Sequence, residues 1–277
     1  MIWVDGRIVP DGSFTVADSD RIFEHGLGLF ETFRTWNGAA SLLSRHLNRL
    51  KRSARRLQIP IDEARLPTAA DVAALVAANG LADGLLRLTA SGGRLPDLTS
   101  TLWMTARPLP PELPRAGYRV VDAPWAVAVD DVLCRHKTLN YWSKRFAYDH
   151  ALNQGADEAI FTSTDGRFWE GSRSNLFLIL DRQLVTPPAS GPIVPGILRQ
   201  LVLDQAESVG LMPRETNVNA CLIDAADAIF LTNSVRGLIP VYDWVDRNYR
   251  PTDPDFAQVD RLRLDLLDTL MAARLES

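Results

Sequence analysis

The stretch Arg135-His136-Lys137-Thr138-Leu139-Asn140-Tyr141 holds one of only three lysines in a chain with 27 arginines. Lys51 lies in the charged run KRSARR, and Lys144 falls within a predicted amphipathic helix, where an arginine would serve as well. Lys137 instead lies between a strand-like run, Trp125 to Leu133, and that helix. A desolvated lysine can lose its proton and form a Schiff base, which an arginine cannot do. Lys137 is therefore a candidate nucleophile, and a surface cation is the alternative that this stretch leaves open.

Length and composition are those of an enzyme-sized globular protein. The 277 residues are enough for one large domain or two medium ones, and the contents of 46% hydrophobic and 23% charged residues are ordinary for a soluble protein. A net charge of −4 gives no electrostatic reason to expect nucleic acid or a membrane surface as partner. The N-terminal sequence lacks a signal-peptide pattern and no apolar run approaches the roughly 18 residues of a membrane span, so we expect a cytoplasmic protein. Cys134 and Cys221 have no metal-binding spacing, and no metal site is predicted.

The first half of the chain alternates strand-like and helix-like segments. Apolar runs from Ile2 to Val16 are interrupted by turn residues and predict a hairpin. Later periodicities predict two helices and two strands, at Leu43 to Leu57, Ala69 to Ala78, Leu85 to Thr89 and Leu102 to Ala106. The stretch from Pro108 to Gly117 holds too many prolines for a helix or a central strand, so we predict a linker there. The mixture of elements favours an α+β fold.

The segment from His25 to Gly38, HGLGLFETFRTWNG, predicts a strand with a candidate pocket face. Successive side chains of a strand point to opposite faces, so Phe30, Thr32 and Arg34 share one of them. A cation among residues of this size suits a binding pocket. An edge strand with a solvated arginine is the alternative reading.

The second half of the chain adds an acid, a helix start and a polar strand end. Its pattern predicts strands at Tyr118 to Val121, Trp125 to Leu133, Ala159 to Thr162, Arg167 to Glu170 and Leu176 to Leu180. It predicts helices at Asn140 to Gln154 and Asp255 to Leu275. Glu170 lies at the end of a hairpin with an Asp-Gly turn. A helix near Ile197 follows Pro195-Gly196, and backbone amides at such a start can bind phosphate. Thr232-Asn233-Ser234 ends a buried strand and suits anion binding or turn capping equally well.

Together these features match the needs of pyridoxal 5′-phosphate, which requires an amine, a carboxylate for its pyridine nitrogen and donors for its phosphate. The segments KTLNY, DEAIFTSTDGRFWEGSRSNLF, PGILR and TNSVRGLIPV occur in the order and spacing of the class IV aminotransferases, and HGLGLFET and RHLNRL extend the resemblance to the first half. The resemblance implies a two-domain fold-type IV enzyme with a smaller N-terminal α+β domain that contributes the substrate pocket, residues 1–115. A larger pseudo-barrel domain, residues 116–277, would bind the cofactor. It also implies a homodimer whose active site lies at the interdomain cleft and is completed by a loop of the partner subunit.

The resemblance also implies roles for individual residues. Lys137 would form the Schiff base and then move the proton between the substrate and the cofactor, and Glu170 would pair with the pyridine nitrogen. The phosphate would be bound by the side chain of Arg49, the backbone amides of Ile197 and Leu198, and the hydroxyl of Ser234. Many relatives have threonine where this chain has Leu198, so one side-chain donor to the phosphate is missing.

The substrate-binding residues depart in part from the family pattern. Phe30, Thr32 and Arg34 resemble the pocket walls, and Arg94 in the loop SGGRLPD matches the arginine with which D-amino-acid aminotransferases bind the substrate carboxylate. Those enzymes usually carry tyrosine in place of Phe30 and histidine in place of Pro96. The standard carboxylate site is therefore incomplete, and Arg34 or Arg236 is a candidate for a second cation.

The substrate class follows from these comparisons of motifs. The pattern favours transfer of an amino group between a D-amino acid, such as D-alanine or D-glutamate, and a 2-oxo acid. The alternative is aminodeoxychorismate lyase, because GGR, KTLNY and the Asn-Ser pair are similar to that branch. A branched-chain enzyme is less favoured, since FEG and GTAA are replaced by FET and TNSV. An R-selective amine transaminase and a cofactor-free binding protein are likewise less favoured.

Overall fold

The computed structural model describes all residues except 95–98, 112–116, 248, 250, 252–256, 258, 263 and 266–277. The chain forms two compact units. The first comprises the described residues of Met1–Pro111 together with His136–Tyr141, and the second those of Glu112–Arg135 and Trp142–Thr269. The segment that carries Lys137 therefore packs with the first unit.

The first unit is built on a six-stranded antiparallel sheet. Its strands are β1 (Ile2–Val4), β2 (Arg7–Val9), β3 (Gly28–Trp36), β4 (Ala39–Ala40), β5 (Gly84–Ser91) and β6 (Leu102–Pro108), in the order β2-β1-β6-β5-β3-β4. Three helices accompany it, α1 (Arg21–His25), α2 (Leu43–Leu57) and α3 (Ala69–Ala78). The last two have the bounds that the sequence predicted. In α3 the prediction succeeds because Thr68 and Asp71 form a capping box at its start.

One face of this sheet is buried and the other carries the candidate pocket residues. Phe33 of β3, Leu86 of β5 and Met104 of β6 are buried together with Leu50 of α2 and Leu75 of α3. Alternation along β3 places its even-numbered residues, Phe30 among them, on the opposite face.

The segment around Lys137 adds a short antiparallel pairing to the edge of β3. The backbone N–H of Phe30 donates to the Lys137 carbonyl at 2.9 Å, and that of Leu139 donates to the Gly28 carbonyl at 3.0 Å. Gly28 has φ of 152°, and a Cβ there would lie 2.6 Å from the Ala90 carbonyl oxygen. The close approach of these backbones therefore requires glycine at this position.

The second unit is built on an eight-stranded sheet that closes on itself. Its strands are β7 (Tyr118–Val127), β8 (Glu158–Ser163), β9 (Phe168–Gly171), β10 (Asn175–Leu180), β11 (Gln183–Thr186), β12 (Met212–Glu215), β13 (Ala228–Asn233) and β14 (Gly237–Trp244), in the order β12-β11-β10-β13-β14-β7-β8-β9. A further pairing joins β9 to β10 through Glu170 and Asn175. This closure confirms the predicted α+β class with a pseudo-barrel in the larger unit.

Every strand of the closed ring contributes to one apolar core. One residue from each strand, in chain order, is Val120, Ile160, Phe168, Leu176, Ile229 and Ile239. Three helices complete the described elements, α4 (Trp142–Asn153), α5 (Ile197–Gln205) and α6 (Ala220–Asp224). Among the described helices, none is long and apolar enough to cross a membrane.

The predicted strand from Trp125 to Leu133 is wrong over most of its length. Strand β7 ends at Val127, and Val132–Arg135 forms a 3₁₀ turn. The Asp131 carboxylate accepts from the Leu133 backbone N–H at 2.8 Å, and such a local bond competes with strand pairing. The predicted final helix lies largely outside the described residues, as do residues 112–116 of the predicted linker.

Candidate active site

Lys137 lies in the first unit with its amine against two aromatic rings. Its Nζ is 4.4 Å from the centroid of the Phe30 ring and 5.8 Å from that of Tyr141. The two rings meet edge to face, with centroids 5.1 Å apart. The residue is half-buried, so its amine is partly removed from water. A lysine amine placed beside aromatic rings can reach a bound carbonyl compound and form a Schiff base with it.

Arg87 contacts the same ring as Lys137, and sequence reasoning missed it. Its Cζ is 3.7 Å from the Phe30 centroid, and the residue is exposed. Arg87 pairs across the sheet with Thr32, so it belongs to the face that Phe30 and Thr32 share. A signal was present in the strand LLRLTAS, where Arg87 is the single charged residue. Only the register between β3 and β5 shows that Arg87 lies beside Thr32 on the candidate pocket face.

The other predicted substrate cations of the first unit have different surroundings. Arg34 lies over the Trp36 ring, with 3.6 Å from its Cζ to the centroid, and donates from Nε to the Thr35 carbonyl at 3.2 Å. Arg94 is exposed, and its backbone N–H donates to the Thr99 carbonyl at 3.2 Å. Pro96 and the rest of its loop tip lie outside the described residues.

Arg49 forms a buried cluster with Glu31 and His46 on the helix side of the sheet. Its Nε donates to one Glu31 oxygen at 2.8 Å and its Nη2 to the other at 2.6 Å, so the guanidinium is held by a two-point contact. His46 Nδ1 lies 2.7 Å from the second oxygen. Glu31 therefore orients two side chains of α2, Arg49 and His46. Sequence reasoning assigned Arg49 without this partner, because Glu31 lies 18 residues earlier in the chain and shares a face of β3 with core residues such as Phe33.

Burial and charge act in opposite directions on the ionisation of this cluster. Burial alone would raise the pKa of Glu31, but Arg49 and His46 more than offset it and hold that pKa at about 2. Burial lowers the pKa of His46, and the charges of Arg49 and Lys137 lower it further against the opposing effect of Glu31. The cluster thus contains a carboxylate, a guanidinium and a neutral imidazole at neutral pH.

Glu170 lies in the second unit at the seam of the closed sheet, where three donors contact its carboxylate. One oxygen accepts from Lys144 Nζ at 2.5 Å. The other accepts from the Val194 backbone N–H at 3.0 Å and from Asn175 Nδ2 at 3.2 Å. Lys144, which the sequence placed on a helix where an arginine would serve as well, is largely buried and paired with Glu170. Lys144 lies three and seven residues before Ala147 and Ala151, which are buried, so it belongs to the packed face of α4.

The start of α5 is held against the same cluster. Ile197 and Leu198 are its first residues, and their backbone N–H groups belong to the first turn, which has no acceptor within a helix. Gly196 precedes them, and a Cβ there would overlap with Asn175 Oδ1. Asn175 Nδ2 also donates to the Val194 carbonyl at 2.9 Å. One asparagine therefore connects Glu170 to the turn that opens α5.

The polar end of β13 supplies further donors in the second unit. Asn233 caps the turn, because its Oδ1 accepts from the backbone N–H groups of Val235 at 3.0 Å and Arg236 at 2.8 Å. Ser234 and Arg236 lie in that turn and are half-buried. Thr232 Oγ1 is buried and has no hydrogen-bond partner among the residues described. A buried hydroxyl without a partner fits a site that binds a polar ligand.

These donor sets fit pyridoxal phosphate. The first unit offers a half-buried amine and an oriented guanidinium. The second offers a buried carboxylate, the amides of a helix start and a buried hydroxyl. A model of the family described as "Amino-transferase class IV" matches residues 28–244. The chain belongs to the class IV aminotransferases. The resemblance to this family and its fold-type IV architecture are confirmed, and pyridoxal 5′-phosphate is the cofactor of the family.

Relatives of this class IV chain differ in chemistry. It is 32% identical over 234 residues to a bifunctional aminodeoxychorismate lyase / D-amino acid transaminase of Mycobacterium tuberculosis, covering 76% of this chain and 79% of the relative. A branched-chain aminotransferase of the archaeon Thermoproteus uzoniensis is similar in structure, with a TM-score of 0.84 at 26% identity over 95% of this chain and 93% of that one. The PLP-bound form of a hypothetical aminotransferase from M. tuberculosis has a TM-score of 0.82 at 28% identity, over 96% and 99%.

Proposed function

We propose that this enzyme is a pyridoxal-phosphate-dependent aminotransferase that moves an amino group between a D-amino acid, such as D-alanine or D-glutamate, and a 2-oxo acid. The observation that carries the proposal is that the amine of Lys137 and the exposed guanidinium of Arg87 lie against one ring, that of Phe30. The Lys137 Nζ is 4.4 Å and the Arg87 Cζ is 3.7 Å from that centroid, so the two groups lie near each other. An α-amino acid carries its carboxylate next to its amine, so a guanidinium close to the Lys137 amine suits such a substrate.

The cofactor-binding roles in this proposal follow the chemistry of each side chain. When bound, pyridoxal phosphate supplies an aldehyde and a pyridine ring that accepts electron density. Lys137 binds at the aldehyde and moves a proton at the substrate α-carbon. Glu170 accepts the pyridine N–H. Arg49, the first amides of α5 at Ile197 and Leu198, and Ser234 bind the phosphate.

The substrate carboxylate needs a cation, and the chain offers several. Arg87 shares the pocket face with Phe30 and Thr32. Arg94 is exposed at the loop where D-amino-acid enzymes place their carboxylate ligand. We assign the primary contact to these two arginines, and Arg34 or Arg236 stays the proposed site of a second charge. A planar guanidinium binds a carboxylate through two parallel hydrogen bonds.

Aminodeoxychorismate lyase is the second candidate. It is supported by the bifunctional relative from M. tuberculosis and by the Asn233-Ser234 pair at the end of β13. Such a lyase would use the same Lys137 but release pyruvate and 4-aminobenzoate.

The absorbance spectrum of the purified enzyme tests this choice. We expect the visible band of bound pyridoxal phosphate to be replaced by the ultraviolet band of pyridoxamine phosphate on addition of D-alanine, and not with L-leucine or L-glutamate. If no amino acid converts the band and aminodeoxychorismate yields 4-aminobenzoate, the lyase assignment replaces this one. If the protein takes up no pyridoxal phosphate, both are wrong.

The variant Lys137→Ala tests the proposal that Lys137 forms the Schiff base with the cofactor. We expect it to lose turnover by at least about four orders of magnitude, because the nucleophile and the proton carrier are removed together. Borohydride treatment should then leave no cofactor attached to the protein. Lys51→Ala, which changes a half-buried lysine paired with Glu63 and distant in sequence from the Lys137 segment, should leave both results unchanged. Full activity of Lys137→Ala would contradict the assignment.

A further inference from the structure

The ion pair between Lys144 and Glu170 is nearly excluded from solvent. The two side chains are 13% and 4% exposed, and Nζ lies 2.5 Å from the carboxylate oxygen. Lys144 Nζ also lies 4.5 Å from the centroid of the Phe161 ring. Paired surface charges contribute little to stability. Removing one partner of a buried pair, by contrast, strongly destabilises the protein, because the other charge is left without compensation. Because this pair is buried, each charge needs the other to offset the cost of its removal from water.

Lys144 occupies one oxygen of the carboxylate, and neutral donors occupy the other. A carboxylate has about four lone-pair positions, and Lys144, Asn175 and Val194 account for three of them. The four elements that supply this cluster, α4, β9, β10 and the turn before α5, all belong to the second unit. The orientation of Glu170 is therefore set by its own unit.

The thiol of Cys134, which lies near this pair, does not supply a competing charge. Cys134 interacts electrostatically with both Lys144 and Glu170, and burial together with Asp131 raises its thiol pKa to about 12. The thiol is thus neutral at neutral pH. Asp131 lies beyond it and accepts from Cys134 Sγ at 3.4 Å. Lys144 is a cation in direct contact with the Glu170 carboxylate, and it compensates the charge of that group.

We propose that Lys144 is a positioning residue that holds Glu170 as an oriented carboxylate before the cofactor binds and competes with the pyridine N–H for it afterwards. The second half of this statement rests on the proposed role of Glu170. A carboxylate already paired with an ammonium attracts a second positive group less strongly than an uncompensated one. Lys144 therefore moderates how strongly Glu170 keeps the pyridine nitrogen protonated. It acts through Glu170 and contacts no reacting atom.

Thermal unfolding of the cofactor-free protein tests the first half of the proposal in a double-mutant cycle. Lys144→Met should lower Tm by on the order of 10 °C, because it leaves a buried carboxylate without its cation. The same change in a Glu170→Gln background should leave Tm nearly unchanged or raise it, because the carboxylate is already gone and the change removes an ammonium that has lost its partner. Lys51→Met is the matched control and should have little effect in either background.

Equal losses of Tm in both backgrounds would overturn the proposal, since Lys144 would then act independently of Glu170. If Lys144→Met fails to fold, Lys144→Gln retains a donor without the charge and should show the same coupling at smaller size. Full additivity for that variant would be equally contradictory.

Cofactor addition tests the second half. The rise in Tm caused by saturating pyridoxal phosphate should be larger for Lys144→Met than for the unchanged protein, because the pyridine N–H then meets an uncompensated carboxylate. An equal or smaller rise would refute the competition. If neither protein responds to pyridoxal phosphate, the proposed function fails, while the cofactor-free cycle still decides whether Lys144 holds Glu170.

Discussion

Glu31 is a buried carboxylate whose oxygens are contacted by two side chains of α2, Arg49 and His46. His46 Nδ1 faces the carboxylate and so carries the proton, and His46 Nε2 is buried with no hydrogen-bond partner among the residues described. Protonating that nitrogen would place a second positive charge beside Arg49 in a buried site. Acid should therefore destabilise this cluster by protonating two residues, His46 and Glu31.

The pH dependence of stability follows from the signs of these two pKa changes. Both pKa values are lower in the folded state, so the unfolded chain binds more protons as the pH falls. Stability should therefore be fully present above about pH 6.5, the ordinary value for histidine. It should fall below that value because of His46, and again from about pH 4.5 towards pH 2 because of Glu31.

Urea unfolding between pH 7.5 and pH 4.5 measures the first of these losses. His46→Gln should flatten the dependence in this range, whereas His25→Gln, which changes an exposed histidine, should leave it as it is. A dependence that persists unchanged in His46→Gln would show that another group is responsible.

At the scale of elements, the start of α5 depends on glycine at position 196. A Cβ there would overlap with Asn175 Oδ1, and Asn175 bonds both Glu170 and the Val194 carbonyl. Gly196→Ala should displace this side chain and destabilise the fold by about 1–3 kcal/mol. We also expect pyridoxal phosphate to bind on the order of tenfold more weakly.

Calorimetry of the free and cofactor-loaded protein checks this prediction. Gln200→Ala changes an exposed position of the same helix and is the matched control. If Gly196→Ala unfolds at the same temperature as Gln200→Ala and binds cofactor equally well, Asn175 does not link the helix start to Glu170 in the way described.

The elements that sequence could predict are those with strong local signals. The apolar stripe of α2 and the capping box of α3 each lie within one segment, so their bounds were predicted correctly. Strands β11 and β12 have only four residues each, and their partners are distant along the chain. Local periodicity carries little information at that length, and neither was predicted.

The residues of the candidate site likewise divide into those with a local signal in the sequence and those found only from tertiary contacts. Lys137 stood out by its rarity and its place between two elements. Arg87 required the register of β5 on β3, and the pairing of Lys144 with Glu170 required α4 to be placed against the closed sheet. Such contacts arise from tertiary packing, which composition and spacing do not encode directly.

At the scale of the whole molecule, we propose a homodimer. Trp142 and Phe146 lie one turn apart on α4 and are 75% and 59% exposed. Adjacent large apolar side chains on a surface are typical of interaction sites, and a second copy of the chain is the proposed partner.

Light scattering of Trp142→Glu tests this arrangement. We expect the molar mass to fall to that of one chain, because a charge would be buried at the interface. Leu152→Glu, at an exposed position on another side of α4, should leave the mass unchanged. A dimer of undiminished stability in Trp142→Glu would show that the subunits meet elsewhere.

The scarcity of lysine also makes each amine of this protein individually observable. Growth on isotope-labelled lysine would introduce three labelled side chains, at Lys51, Lys137 and Lys144. Their surroundings differ: a surface pair with Glu63, two aromatic rings, and a buried carboxylate. A two-dimensional NMR spectrum should therefore resolve three signals, so that one titration would follow the nucleophile and its neighbouring charges together, residue by residue.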